Sequence, residues 1–151
     1  MPGVESQEIA HMTNDRYDLQ RFLDAQQPVF DAVRAELRDG RKRSHWMWFI
    51  FPQIAGPGHS EMARRYALSS LEEARAYLAH SVLGSRLREC SLLVADVQGS
   101  SAEEIFGYPD DMKFRSSMTL FAQAASDNAV FNDCLRKYFG GEPDPLTLAR
   151  L

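Results

Sequence analysis

The sequence predicts an all-α fold: a compact multi-helix domain at residues 15–151, broken by one irregular aromatic and Gly-Pro segment at about 41–60. Three observations predict it. Apolar residues recur at steps of three and four through most of the chain, which is the period of a helix face. Ser-x-x-Glu capping signals and glycine stops fall where those runs begin and end. No internal repeat or linker divides the chain, and its 151 residues fit one domain that buries roughly 70% of the unfolded surface.

Taken in order, Tyr17, Leu19, Phe22, Leu23 and Gln26 form the first helical face, with Asn14 or Asp15 placed to cap it. Pro28 suits the first turn of a second helix, whose Val29, Val33 and Leu37 line one side before Gly40 offers a left-handed stop. The pattern then breaks. A basic trio, Arg41-Lys42-Arg43, precedes His45-Trp46-Met47-Trp48-Phe49-Ile50-Phe51 and then Pro52, Gly56, Pro57 and Gly58. So short an aromatic run fits a buried helix or a strand equally well.

Helical signals return at Ser60, which can cap Glu61 onward to Leu68, and Ser70 with Glu73 spells a capping box before Ala74, Tyr77 and Leu78. Ser81 can cap the next face, Leu83, Leu87, Cys90, Leu93, Val94 and Val97, which ends at Gly99. Ser101 with Glu104 is a second box, opening a short helix through Ile105 and Phe106 that Gly107 stops. Asp110 or Asp111 begins a helix with Phe114, Met118, Phe121 and Ala125 on one side. Asp127 can cap Val130, Phe131, Cys134, Leu135 and Tyr138, which Gly140-Gly141 ends, and a short helix follows Pro145. The expected total is seven or eight helices in a layer-packed bundle, behind a flexible segment at residues 1–14.

Composition narrows the function classes. With 44% apolar and 25% charged residues the chain is close to the globular average. Residues 1–14 lack the features of a secretory signal, and the longest strongly apolar run, residues 46–51, is far too short to cross a bilayer. A cytoplasmic protein with no membrane partner is expected. A net charge of −4 argues against a generic nucleic-acid binder, which needs a basic excess. Cys90 and Cys134 have apolar neighbours and read as reduced, buried thiols in different helices. There is no CxxC, no zinc spacing and no His pair at i, i+4 with a carboxylate, so neither metal nor cofactor is expected.

Three segments can carry chemistry. Gly56-Pro57-Gly58-His59-Ser60 leads into a helix with Arg64 and Arg65, and backbone N–H groups there suit an anion, with His59, Ser60 and Arg64 as contacts. The same residues fit a plain turn and cap. In the aromatic run, Trp46 and Trp48 can wall a pocket for a flat ligand, or simply fill the core. His45 borders that run and is the histidine best suited to acid–base work, though a structural role is open to it too. On the helix from Asp110, Asp111 can move a proton or pair with Arg115 at i, i+4, while Lys113 and Ser116 at i, i+3 can serve a phosphate or ribose. Their order does not make the S-x-x-K nucleophile, so a serine hydrolase is disfavoured.

The chain resembles the bacterial family of uncharacterised proteins called domain of unknown function 1810, some members of which carry a calpastatin label. The similarity spans about residues 17–151 and rests on Asp18-Leu19-Gln20-Arg21-Phe22 with Ala25-Gln26, on His45 through Gln53, and on Gly58-His59-Ser60. It continues in Ile105-Phe106-Gly107, Lys113 and Ser116-Ser117-Met118-Thr119-Leu120-Phe121. The resemblance implies a compact helical fold and no particular activity. Calpain inhibitors of the calpastatin type are long disordered chains, which this composition is not. The order of Lys113, Phe114, Phe131, Leu135 and Gly140-Gly141-Glu142 is also loosely similar to helical N-glycosidases acting on ADP-ribose-type compounds, without their N-terminal motif.

These readings converge on a pocket for a small anionic, nucleotide-like ligand. Its expected contacts are Trp46, Trp48, Gln53, His59, Ser60, Arg64 and Ser116, with His45, Asp111 and Lys113 as candidates for any proton transfer. Two alternatives stand beside it: an interaction module that docks its aromatic segment on a partner, and the N-glycosidase-like enzyme.

Overall fold

A computed structural model describes residues 15–56 and 60–151, and among them the chain forms ten helices and no strand. In chain order they are α1 (Gln20–Gln26), α2 (Phe30–Arg38), α3 (Met47–Ile50), α4 (Glu61–Arg65), α5 (Leu71–Ala79), α6 (Leu83–Asp96), α7 (Ala102–Phe106), α8 (Asp110–Ala124), α9 (Ala129–Phe139) and α10 (Pro145–Leu148). The all-α prediction holds. The count exceeds the expected seven or eight; the irregular segment contributes the short helix α3, and the short helix expected after Pro145 is α10. The segment at 1–14 lies outside the described residues.

Local chemistry explains where most of these helices begin. Asp15 Oδ1 accepts the Leu19 N–H at 2.5 Å, and Asp18 turns through a positive φ of 52°, so α1 starts at Gln20, later than the apolar spacing suggests. Ser101 and Glu104 form the reciprocal box in full at the head of α7. At α5 only half the box forms: Ser70 accepts the Glu73 N–H, but the Glu73 carboxylate turns to Ser69 and to Arg21. Ser81 does not cap α6. His80 Nδ1 accepts the N–H groups of Val82 and Leu83 there instead.

Helix α8 is the centre of the molecule, packed against α3, α5, α7, α9 and α10. Phe114, Ser117, Met118, Thr119, Leu120, Phe121 and Ala122 are all buried, so it is covered on more than one face. Phe114 stacks on Phe106 at 4.7 Å and meets Phe51 edge-on at 5.0 Å, which ties α7, α8 and the end of the aromatic segment into one cluster. Helix α6 completes the frame against α2, α5 and α9. Its Gly84 lies where a Cβ would sit 2.0 Å from the Leu78 carbonyl oxygen, so glycine is needed for the α5–α6 approach. Lys137 and Tyr138 of α9 bond the carbonyls of Ala95, Val97 and Val94, satisfying the C-terminal end of α6.

The aromatic segment is core. Trp46, Met47, Phe49, Ile50 and Phe51 are buried, while Trp48 is half-buried. Met47–Ile50 is a helical turn, which decides between the two options open from sequence. Buried Glu36 holds its approach: Oε1 accepts from Arg43 N at 2.6 Å, Ser44 N at 2.9 Å and Trp46 Nε1 at 3.0 Å, and Oε2 from Ser44 Oγ at 2.6 Å. Cys90 and Cys134 are free, buried and in different helices, as the sequence predicts. No described helix is long and apolar enough to cross a membrane.

Candidate functional site

After α3 the chain runs extended, and Ile54 makes an isolated parallel bridge with Leu68 through Leu68 N–H to Gln53 O at 2.9 Å and Ala55 N–H to Leu68 O at 2.8 Å. The far side is held by Arg21, whose guanidinium donates to the carbonyls of Arg65 at 2.9 Å and Ala67 at 3.0 Å while pairing with Glu73 at 3.1 Å. Two strips of backbone are thereby fixed beside α8. Between them opens a cleft of about 290 Å³, at the lower end of ligand-sized cavities. Trp48, Ile54, Ala63 and Tyr66 give it apolar walls; Gln53, Arg64 and Lys113 supply its polar side chains.

The cations of this cleft are in different states. Lys113 Nζ lies 5.1 Å from the centre of the Trp48 ring and 3.4 Å from Asp110 Oδ1, so it is held but not fully neutralised. Asp110 also binds Lys42 through Oδ2 at 3.0 Å, and Lys42 in turn sits 5.2 Å from the Trp46 ring centre. One carboxylate therefore serves two lysines, each lying over one indole. Arg64 is exposed at the rim, and its side chain has no hydrogen bond or ion pair among the described residues. The Gln53 amide and the Tyr66 hydroxyl likewise have no partner among them.

A small notch of about 20 Å³ adjoins the cleft, sharing Gln53 and Ile54 and reaching Ser116, Asp144, Thr147 and Arg150. It is a packed joint. Ser116 Oγ donates to Asp144 Oδ2 at 2.8 Å, Thr147 Oγ1 donates to the same oxygen at 2.7 Å, and Asp144 N–H donates to Thr119 Oγ1 at 2.9 Å. Burial would push the Asp144 carboxyl up, but the bonds from Thr147, Ser116 and the backbone of Leu146 and Thr147 together hold it below the usual range. Asp144 is the cap of α10, with Pro145 in the first turn.

Of the residues singled out from sequence, Trp48, Gln53, Arg64 and Lys113 come together in the cleft, and Ser116 lies in the notch, engaged with Asp144. Trp46 is only 1% exposed and lies in the core against Phe51, so the two indoles do not share a wall. Two positions along a helical turn differ by roughly 200° in direction, which sends one indole inward and the other to the cleft. Ser60 is exposed and caps α4 by accepting the Ala63 N–H at 3.1 Å. His59, with Pro57 and Gly58, lies outside the described residues. His45 is exposed and absent from the described lining. Asp111 accepts the Met112 N–H and does not pair with Arg115, whose guanidinium is drawn instead to the carbonyls of Glu142 and Pro143 at 3.0 and 3.1 Å.

Sequence reasoning missed Tyr66, Asp110 as the bridge between the lysines, and Arg150. Tyr66 and Arg150 had no available signal, since neither belongs to a motif. Asp110 was visible only as a helix start.

Comparison with known proteins adds a family and a fold. The family model described as a protein of unknown function (DUF1810) matches residues 16–151. A crystal structure of a conserved hypothetical protein from Mycobacterium tuberculosis is similar at 59% identity and a TM-score of 0.90, covering 91% of this chain and 98% of that one. No curated protein matches the chain.

Proposed function

The chain belongs to the DUF1810 family, whose description carries no activity, and from the cleft itself we propose that it binds a small anionic ligand with a flat or apolar part, nucleotide-like in its combination of ring and charge. The observation that carries this reading is the Arg64 guanidinium at the rim of a cleft that also holds Lys113 and the Gln53 amide, where neither the guanidinium nor the amide has a partner among the described residues. Guanidinium and ammonium groups make charge-assisted bonds with phosphate or carboxylate oxygens. The apolar side of the cleft, formed by Trp48, Tyr66 and Ile54, suits the remainder of the molecule.

The described lining favours holding a ligand over cleaving one. Breaking a glycosidic bond calls for a carboxylate or other base directed at the reacting carbon or its water. The described lining supplies two cations, an amide and a phenol. The docking of an exposed aromatic segment is the less favoured reading, because Trp46 and Phe51 are buried and Trp48 alone of the three stays partly accessible.

Isothermal titration with a panel of nucleotides and sugar phosphates tests the proposal, with Arg64→Ala as the informative variant. That substitution leaves the Ser60 cap in place and removes a side chain with no partner among the described residues, so stability should change by less than about 0.5 kcal/mol. Binding should be lost. Full affinity in Arg64→Ala, or no heat from any ligand at millimolar concentration, would remove the basis for this reading.

A further inference from the structure

Building on the reading of the cleft as an anion site, we infer that it selects a dianionic head group over a monoanionic one, and that Arg150 is the residue that sets this preference. Among the described residues that line the cleft and the notch are three cations, Arg64, Lys113 and Arg150, and one carboxylate, Asp144, while Asp110, outside the lining, bridges Lys113 to Lys42. The difference is a surplus of two positive charges, in a chain whose formal net charge is −4. Neither carboxylate is free to neutralise the rim. Asp110 is shared between two lysines, and Asp144 is turned into the joint with Ser116 and Thr147. Among the described residues of this lining, the cations with no carboxylate partner are Arg64 and Arg150.

Arg150 follows α10 and packs on the cleft wall. Its guanidinium lies where a Cβ on Gly56 would be, with Cζ and Nε each 2.4 Å from that position, and Gly56 itself lines the cleft. Glycine at this point lets the guanidinium approach the backbone. The notch beside it, about 20 Å³, has room for a water and not for a phosphate, so an anion sits in the larger cleft and Arg150 meets it across Gly56. The Arg150 side chain is exposed, and no hydrogen bond or ion pair holds it among the described residues, so it can follow the ligand. A monoanion is satisfied by Arg64 with Lys113. A second negative charge on the same head group gains from Arg150 as well.

Phenyl phosphate and phenyl sulfate separate charge from shape, since both carry a phenyl ring and a tetrahedral head, and at about pH 8 the first is a dianion and the second a monoanion. Each is titrated into the full chain while backbone amide resonances are followed by NMR. Both ligands should shift the amides of Gly56, Arg64 and Lys113, with the phosphate binding about tenfold more tightly at low salt. In Arg150→Ala this preference should fall to about twofold with sulfate affinity little changed, and Arg150→Lys should restore most of it. Equal affinities in the native chain, or an undiminished preference in Arg150→Ala, overturn this inference and leave anion binding by the cleft standing. If neither ligand moves those amides at concentrations on the order of 10 mM, both the inference and the reading beneath it fall.

Discussion

Replacing Glu36 with glutamine removes one negative charge from the interior while keeping the shape of the side chain. The carboxylate accepts four hydrogen bonds, from the backbone of Arg43 and Ser44, the Ser44 hydroxyl and the Trp46 indole, and the residue is 7% exposed. Burial alone would raise its pKa; the four bonds outweigh that and bring it from the usual 4.5 to about 2. A folded value below the unfolded one means that stability is present above pH 4.5 and is lost as pH falls toward about 2. At neutral pH that difference corresponds to about 3 kcal/mol in favour of the native chain over Glu36→Gln, shrinking to about 1.5 kcal/mol near pH 3. Urea unfolding followed by tryptophan fluorescence at both pH values measures it. At neutral pH the melting temperature of the variant should fall by about 6–12 °C. A gap below about 1 kcal/mol at neutral pH, or one that fails to narrow on acidification, would show that the carboxylate does not hold the turn into Trp46.

Two further outcomes rest on the packing. Gly84→Ala places a methyl group 2.0 Å from the Leu78 carbonyl oxygen, a rigid backbone atom, and should cost at least about 2 kcal/mol in thermal or chemical unfolding; a neutral substitution would mean that α5 and α6 pack less closely than described. Burial pushes the thiols of Cys90 and Cys134 up to about 12, so a neutral alkylating reagent should label neither in the native protein and both after unfolding. Rapid native labelling, read by intact mass, contradicts that burial.

The local half of the structure was legible because its causes are local. The Ser101–Glu104 box, the Ser60 cap, the left-handed Gly140 stop and Pro145 in a first turn each depend on residues within a few positions of one another. Where a distant partner competes, the same rules fail. Glu73 has the spacing of a capping box, yet its carboxylate goes to Arg21, 52 residues away, and to Ser69. Arg115 is spaced to pair with Asp111 but donates to carbonyls 27 and 28 residues downstream. A buried or better-aligned partner outweighs an exposed helical pair, which is worth a few tenths of a kcal/mol.

The candidate site divides along the same line. By itself the sequence determined the helical class, the buried thiols and the segments rich in cations and aromatics, because periodicity, capping and composition act through neighbours along the chain. Only the tertiary structure decided that Trp48 faces the cleft while Trp46 faces the core, that one aspartate holds two lysines, and that Arg150 packs against Gly56. Those are matters of direction and distance between elements far apart in sequence. They follow from how the helices bury their apolar faces together, which no single segment encodes.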